Sequence, residues 1–385
     1  MILTPPLFKA VTEKKLKVWV LAPGIHSDNA NIDYYYDFSH SIGEYTRVFE
    51  ELGIPWVWEQ VNMSTFPAVI QKIETEKNEG VLTPVVLNLC DGDEINGAPG
   101  VSVLKLLTEK NIIHTGSDEH FYRITTSKIP MKKAFEKAGV PTGAWVPIYK
   151  PEIDAAKIFK KTGRPLILKP AVSGGSMGVG VKNVIEDEGT LEKMVKELFG
   201  GYGEWDLTTD GIVAEQFITG PEFTTFITGS HLYPRDAVVY DPVERVFHPS
   251  LPEKEKFLSF ERLWEIYEHE SPMPKNENFY EYRVPDASLI KTIKKISWDA
   301  YCATGGTGYT RVDLRMDSAT GKIYVLEVNA QCGLSEDEDH TSIGAILRLG
   351  GKSYSAAIME IINDAFVRAE AKKQIFAPAR KRSRA

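Results

Sequence analysis

The residues best equipped for chemistry lie in two runs near the C-terminal end, 309–315 and 323–329, which carry Arg311, Asp313, Glu327 and Asn329 among apolar neighbours. Both runs alternate apolar and polar residues, and 317–322 between them is rich in turn formers, so they predict an antiparallel hairpin with a loop of about five residues. Pairing Asp317 with Ile323 sets Asp313 opposite Glu327 and Arg311 opposite Asn329, all on one face, because side chains alternate with period two. Carboxylates gathered this way need compensating charge, and oxygen-only donors suit Mg²⁺. The face either holds magnesium with a phosphate-bearing ligand or is a solvated surface with an Arg/Glu pair.

A second group begins at Lys169, which ends the apolar run from Pro165 and is followed by Ser173, Gly174, Gly175, Ser176 and Gly178. A cation beside unobstructed backbone N–H groups can cradle phosphate, although an ordinary turn uses the same glycines. The lysine precedes the glycines and 179–184 reads as strand, so neither a G-x-x-x-x-G-K-[ST] loop nor a G-x-G-x-x-G turn fits. The pattern predicts a glycine-rich β-hairpin closing over a nucleotide. Lys128 opens a helix over 128–138, with Ser127 or Thr126 near its N-cap and Pro130 tolerated in its first turn.

These groups need a scaffold. Up to about residue 120, strands (17–22, 56–58, 84–89, 112–114) alternate with helices (42–52, 66–77, 101–108), predicting a parallel sheet covered on both sides. Ligands sit beyond the carboxyl ends of such strands, where the loops Gly24, Ile25, His26, Ser27 and Asp91, Gly92, Asp93, Glu94 fall; either could be an ordinary polar loop. Residues 124–217 read as a small α+β unit, with strands 212–218 and 223–227 joined by Thr219, Gly220, Pro221 and Glu222. Segment 241–284 lacks periodicity, is dense in Glu, Pro and aromatics, and reads as a functional excursion outside the core. A helix over 287–303 precedes the hairpin. After it come an acidic loop, Glu336, Asp337, Glu338 and Asp339, and a last helix burying Ile358, Ile361, Ile362, Ala365 and Phe366.

Length bounds the rest: 385 residues imply two or three domains. Net charge of −8 and a pI near 5.6 exclude a broad attraction for nucleic acid. Cys90, Cys302 and Cys332 are too few and too scattered for a disulfide framework and fit a reducing compartment. No apolar run suits a signal peptide or membrane span, so the expected localisation is cytoplasmic, without membrane contact.

Lys128, Lys169 with its glycines, and the Asp313, Glu327, Asn329 face, in that order, resemble the ATP-grasp superfamily and, within it, the D-alanine–D-alanine ligase group. The run from Glu215 to Thr224 resembles that group's hinge strand and ribose-binding glutamate. Arg311, Val312, Asp313 with Leu326, Glu327, Val328, Asn329 resembles its metal-binding core, and His114, Thr115, Gly116, Ser117 the end of its first domain. The resemblance spans roughly residues 80–370. It implies an ATP-grasp fold of mixed α/β and α+β class: an N-terminal parallel-sheet domain (1–123), a central lid subdomain (124–217), a C-terminal metal and ATP subdomain (218–371) and a basic tail (372–385).

It also implies roles. Lys128 and Lys169 contact ATP phosphates; Gly174, Gly175 and Ser176 close over the γ-phosphate; Glu215, Phe217 and Ile218 line adenine; Glu222 binds ribose. Asp313, Glu327 and Asn329 hold two Mg²⁺ ions, for which Mn²⁺ can substitute, and Arg311, with Ser176, serves catalysis by facing the developing oxyanion. The implied reaction is ATP-dependent joining of a small-molecule carboxylate to an amine through an acylphosphate, in a homodimer. The substrate loops depart from the group: Gly175 replaces a serine, Cys90 and Asp91 stand where His-Gly is usual, and Ala330, Gln331, Cys332, Gly333 replace Thr-x-Pro-Gly. Gly333 and Thr341 or Ser342 are the candidates for gripping the second substrate. The departures suggest an amino acid, small peptide or specialised metabolite as substrate. The alternatives are an authentic D-alanine–D-alanine ligase with drifted loops and a non-catalytic ATP-binding regulatory module.

Overall fold

The structure, a computed structural model, describes residues 3–25, 37–201, 206–263, 271, 273–274 and 277–376. The described strands form three sheets. After α1 (Pro5–Thr12), the first is built from β1 (Leu16–Pro23), β2 (Trp56–Val61), β3 (Thr83–Asn88) and β4 (Ile113–His114) in the order β2-β1-β3-β4. Every pairing is parallel, as the alternation predicts. Connecting helices α2 (Ser39–Leu52), α3 (Phe66–Glu79) and α4 (Val101–Glu109) cover it, and β1 is buried along nearly its whole length. His26 and Ser27 lie outside the described residues.

Two helices follow, α5 (Glu119–Thr126), unread in the sequence, and α6 (Lys128–Ala138). Ser127 is extended between them (φ −112°, ψ 129°), which restarts the helix at Lys128. The second sheet runs β5-β8-β6-β7 from β5 (Trp145–Ile148), β6 (Leu166–Pro170), β7 (Val184–Ile185) and β8 (Ile212–Gln216), all antiparallel. Helices α7 (Ala155–Thr162) and α8 (Glu188–Phe199), N-capped by Asp154 and Asp187, bury Ile158, Phe159, Leu191 and Val195 against it.

The glycine segment is not the two-stranded hairpin expected of it. Turns lead from Ser173 to a 3₁₀ turn at Val181–Asn183, and only Val184–Ile185 rejoins the sheet. The buried Asn183 side chain explains this: it accepts from the Gly180 amide at 2.9 Å and donates to the carbonyls of Leu168 (3.1 Å) and Gly178 (2.9 Å). An amide side chain that satisfies backbone groups locally competes with a strand ladder.

The third sheet carries the carboxylate hairpin. β9 (Glu222–Thr228), β10 (Val238–Val239), β11 (Val243–Phe247), β12 (Tyr280–Arg283), β13 (Tyr309–Met316) and β14 (Ile323–Ala330) run in the order β12-β11-β9-β13-β14, with β10 beside β9. Strands β11 and β12 correct the reading of 241–284 as lying outside the core. Val243, Arg245 and Phe247 alternate inward, and the arginine at an inward position hid the pattern. The short helix α9 (Phe260–Leu263) lies in the same excursion. The hairpin also differs near its turn. Asp313 pairs with Glu327 and Arg311 with Asn329 as expected, but a bulge after Asp313 sets Leu314 opposite Val325, and Met316, not Asp317, faces Ile323. Asp317 instead closes the turn, its Oδ1 accepting from the amides of Ala319 and Thr320.

Strands β8 and β9 belong to different sheets, so 217–221 is the joint between them. At Gly220, φ is +133° and a Cβ would come within 2.3 Å of the Met316 carbonyl oxygen. Helix α10 (Ala287–Ala303) packs on the hairpin. Helix α11 (Ser342–Leu349) packs on β9 and β11 of the third sheet, α12 (Tyr354–Phe376) reaches β4 and α2 of the first, and Ile358, Ile361, Ile362 and Phe366 share one core with Val18, Val20 and Phe49. No described helix is long and apolar enough to cross a membrane. Most of the basic tail (377–385) lies outside the described residues.

Candidate active site

A cleft of about 770 Å³ is lined from all three sheets and takes in the site residues that the resemblance implies: Lys128, Lys169, Gly174, Gly175, Ser176, Glu215, Phe217, Ile218, Glu222, Arg311, Asp313, Glu327, Asn329, Gly333, Thr341 and Ser342. On the hairpin face, Arg311 forks onto Asp313, with Nε 3.1 Å from both carboxylate oxygens and Nη2 3.0 Å from Oδ2. Thr224 Oγ1 donates to Asp313 Oδ1 at 2.6 Å, and Asn329 Nδ2 to Asp313 Oδ2 at 3.0 Å and Glu327 Oε1 at 3.3 Å. Burial opposes the Asp313 charge, but Arg311 and Thr224 outweigh it and hold the carboxyl below the usual range. The arginine's partner is thus Asp313, in a partly buried cluster, and not a glutamate on a solvated face.

Three lysines converge here, of which the sequence reading found two. Lys128 Nζ stands 3.7 Å from Glu327 Oε2 and 3.3 Å from Ser173 Oγ. Lys169 Nζ is 3.9 Å from Glu215 Oε2, and Lys132 Nζ only 3.0 Å from the same oxygen. Lys132 is one helical turn beyond Lys128, on the same face, a spacing that could have revealed it. It is fully buried and also donates to Thr142 Oγ1 at 2.9 Å. Burial pushes the Glu215 carboxyl up, but Lys132, Lys169 and Lys128 prevail and keep it below its ordinary value. Burial lowers Lys128 and Lys132, against the pull of Glu327 and Glu215 respectively.

Above these lysines the glycine segment turns tightly, with φ of +53°, +58° and +72° at Gly175, Ser176 and Gly178. Its inner bonds run from Met177 N to Gly174 O and from Val179 N to Ser176 O, which leaves the amides of Gly174, Gly175 and Ser176 out of those turns. Ser176 Oγ donates to Leu258 O at 2.9 Å and Phe260 N to Val179 O at 2.9 Å, so the excursion is laced to the glycine loop. Phe257 meets Phe217 edge-on, with centroids 5.8 Å apart.

Glu222 is gripped by two arginines that the sequence reading missed. Arg245 bonds Oε1, and Arg315 Nε lies 3.3 Å from Oε2. Arg315 Nη1 also donates to Ile218 O at 2.8 Å, and Arg245 Nη2 to Tyr282 Oη at 2.8 Å. Arg315 continues the polar face of Arg311 and Asp313 along β13, which was the available signal; Arg245 was hidden in the excursion. Of the basic residues at 254–262, Lys256 pairs with Glu253 and Arg262 with Glu255. Among the described residues, the lysines and arginines lining the cleft are Lys128, Lys169, Arg245, Arg311 and Arg315.

The opposite wall is acidic. In the loop after β3, Asp93 accepts from the amides of Ile95 (2.9 Å) and Asn96 (3.1 Å), and Glu94 from those of Gly100 (3.1 Å) and Ser102 (2.6 Å). Both are thereby committed to the loop, and Asp91 faces the cleft. The Asp91 carboxylate is open to solvent at the cleft, yet the protein crowded around it displaces bulk water and, with Asp93 nearby, pushes it up to about 6. Thr341 caps α11, accepting from Ile343 N at 3.3 Å, while the buried Ser342 Oγ finds no partner among the described residues. Gln331, with φ +57°, ties this wall together by donating to Cys90 O at 2.7 Å and accepting from Ser117 Oγ at 3.2 Å.

A parallel sheet joined to two antiparallel sheets that meet over lysines, a glycine loop and a carboxylate hairpin defines an ATP-grasp carboxylate–amine ligase, an ADP-forming enzyme that makes carbon–nitrogen bonds. Residues 134–363 match the family model "D-ala D-ala ligase C-terminus", and the chain belongs to that family. It is 26% identical over 271 residues to the D-alanine–D-alanine ligase of Stutzerimonas stutzeri, covering 70% of this chain and 74% of the relative. It is 25% identical over 281 residues to that of Pseudomonas fluorescens, covering 72% and 74%. A D-alanine–D-alanine ligase from Bacillus anthracis, solved in complex with ATP, superposes with a TM-score of 0.63 at 18% identity, over 92% of this chain and 99% of that one. One from Coxiella burnetii gives 0.63 at 16% identity, over 94% and 98%. Enzymes of this class use ATP with a divalent metal.

Proposed function

We propose that the cleft phosphorylates a small-molecule carboxylate with ATP and passes the acyl group to an amine. The observation that carries this reading is the convergence of Lys128 on Glu327 (3.7 Å) and of Lys169 on Glu215 (3.9 Å), from elements far apart in sequence. Lys128 and Lys169 bind phosphate oxygens. The amides of Gly174, Gly175 and Ser176 close over the γ-phosphate, Glu215, Phe217 and Ile218 line adenine, and Glu222 accepts from the ribose hydroxyls.

Asp313, Glu327 and Asn329 would hold two Mg²⁺ ions, and Mn²⁺ would also suit the set. Each side chain offers an oxygen donor, Asn329 through Oδ1 once its amide turns over, and the lone pairs of both carboxylates face the Asn329 N–H group that a cation would replace. When bound, the ions draw negative charge from the phosphoryl oxygens. A substrate carboxylate oxygen bonds the γ-phosphorus as the bond to ADP breaks. The amine nitrogen, having given its ammonium proton to solvent, then bonds the carbonyl carbon, Arg311 donates to the oxyanion, and phosphate leaves, taking up the second proton that the nitrogen sheds as the amide forms. The glycine loop, with Ser176 tied to Leu258, excludes water from the acylphosphate.

Substrate identity follows the acidic wall. Asp91 offers a cleft-facing carboxylate for an ammonium group, and Thr341, Ser342 and Gly333 offer donors for a carboxylate. An amino acid or small peptide suits both walls, and a specialised metabolite with the same two groups would also fit. The expected assembly is a homodimer, which sedimentation velocity checks.

Asp313→Asn and Glu327→Gln should each lower ADP formation by about a hundredfold or more with unchanged far-ultraviolet circular dichroism. Wild-type rates in either variant would remove the metal assignment. A panel of D- and L-amino acids then reads the substrate: dipeptide formation from D-alanine alone would make this an ordinary D-alanine–D-alanine ligase. ATP binding with no ADP from any substrate would mark a regulatory module.

A further inference from the structure

At the rim of the cleft, away from the carboxylate hairpin, two imidazoles and a carboxylate meet. His40 lies in the first turn of α2, and Asp337 and His340 lie in the acidic loop after β14. One ligand atom from each falls within 4.8 Å of the others, and the rings of His40 and His340 stand 4.7 Å apart. His40 Nε2 is 3.4 Å from Asp337 Oδ2 and 3.3 Å from Glu44 Oε1. Tetrahedral zinc with bonds of about 2.0–2.1 Å sets its ligand atoms roughly 3.3–3.4 Å apart, which the two His40 distances match, while the His340 nitrogen lies within 4.8 Å of the others.

A second observation is independent of that cluster. Glu44, fully buried, accepts through Oε1 from Ser335 Oγ (2.6 Å) and the amides of Glu336 (3.0 Å) and Asp337 (3.1 Å). Its other oxygen, Oε2, is buried with no partner among the described residues. A carboxylate with one oxygen fixed and the other unsatisfied, beside a histidine, is under-coordinated for the burial it bears. Of the other charges on the loop, Glu336 is met by Arg47 and Glu338 by Arg348.

We propose that His40, Asp337 and His340, with Glu44 as fourth ligand or as the partner that orients His40, form a site for a zinc-class divalent ion. Imidazole ligands distinguish it from the oxygen-only hairpin, because they select borderline transition metals over Mg²⁺. The ion ties α2 of the first sheet to the loop that carries Thr341 and Ser342, and so fixes the substrate side of the cleft. The site does not depend on the ATP assignment.

Co²⁺ titrated into the full-length protein with saturating Mg²⁺ tests this, since Mg²⁺ fills the oxygen sites and Co²⁺ bound by nitrogen reports in its visible spectrum. The expected result is one Co²⁺ bound with a tetrahedral spectrum and displaced by Zn²⁺. Affinity should fall about a hundredfold in His40→Ala and in His340→Ala and by about tenfold or more in Glu44→Gln. Binding should be unchanged in Asp313→Asn. Unaltered Co²⁺ affinity in both histidine variants, or no binding by the folded wild type, would overturn the site. Loss of binding in Asp313→Asn alone would assign the ion to the hairpin instead.

Discussion

At the scale of single residues, burial decides which side chains are indispensable. Lys132 and Glu215 form an ion pair with each side chain about 1% exposed, so removing one partner strands a buried charge. Lys132→Met should destabilise the fold by about 3–5 kcal/mol, and Lys132→Met with Glu215→Gln should recover much of that, as read by urea denaturation. Asp91 brings a pH dependence. Its folded value of about 6 lies above the unfolded value near 3.9, so its stabilising contribution is full below the unfolded value and lost as pH rises through about 6. Asp91→Asn should therefore melt higher than wild type at pH 7, with the gap closing below about pH 4. In activity the order reverses: KM for the amine should rise in wild type as pH falls through about 6, and the variant should lack that limb. Asp313, Glu327, Lys128 and Lys169 were legible because their types and spacing are unusual. Lys132 and Arg315 left only a spacing signal, from Lys128 and from Asp313, and Arg245 left none, because a cation inside an apolar pattern reads as noise until its buried partner is known.

At the scale of elements, local side-chain bonding set the errors. The parallel sheet and the carboxylate register were readable from periodicity, which needs only the pleat and the helical turn. The bulge after Asp313 was not, since Leu326 looks like any other strand residue. Asn183 turned an expected strand into a 3₁₀ turn by holding three backbone groups. The joint between the second and third sheets gives a direct test. Gly220→Ala would force a non-glycine residue to φ +133° and push its Cβ within 2.3 Å of Met316 O. The strain should cost about 1–3 kcal/mol, visible as a lowered melting temperature. An unchanged melting temperature would mean the joint relaxes freely.

At the scale of the molecule, three sheets converge on one cleft, and its walls carry opposite chemistry. Lysines and arginines line the part that the proposed function gives to the nucleotide, whereas Asp91 and Asp339 line the part that it gives to the substrate. Such a division suits a reaction that must gather ATP and a carboxylate while drawing in an amine. The claim on which this rests is that a substrate carboxylate attacks the γ-phosphorus, and its oxygen can be followed. With ¹⁸O in the carboxylate of whichever panel substrate supports turnover, mass spectrometry of the released phosphate reads the step directly. The account predicts that each phosphate carries one ¹⁸O, and that Asp313→Asn and Glu327→Gln release essentially none of it. Phosphate released without label would contradict it, because the attacking oxygen would then have come from water.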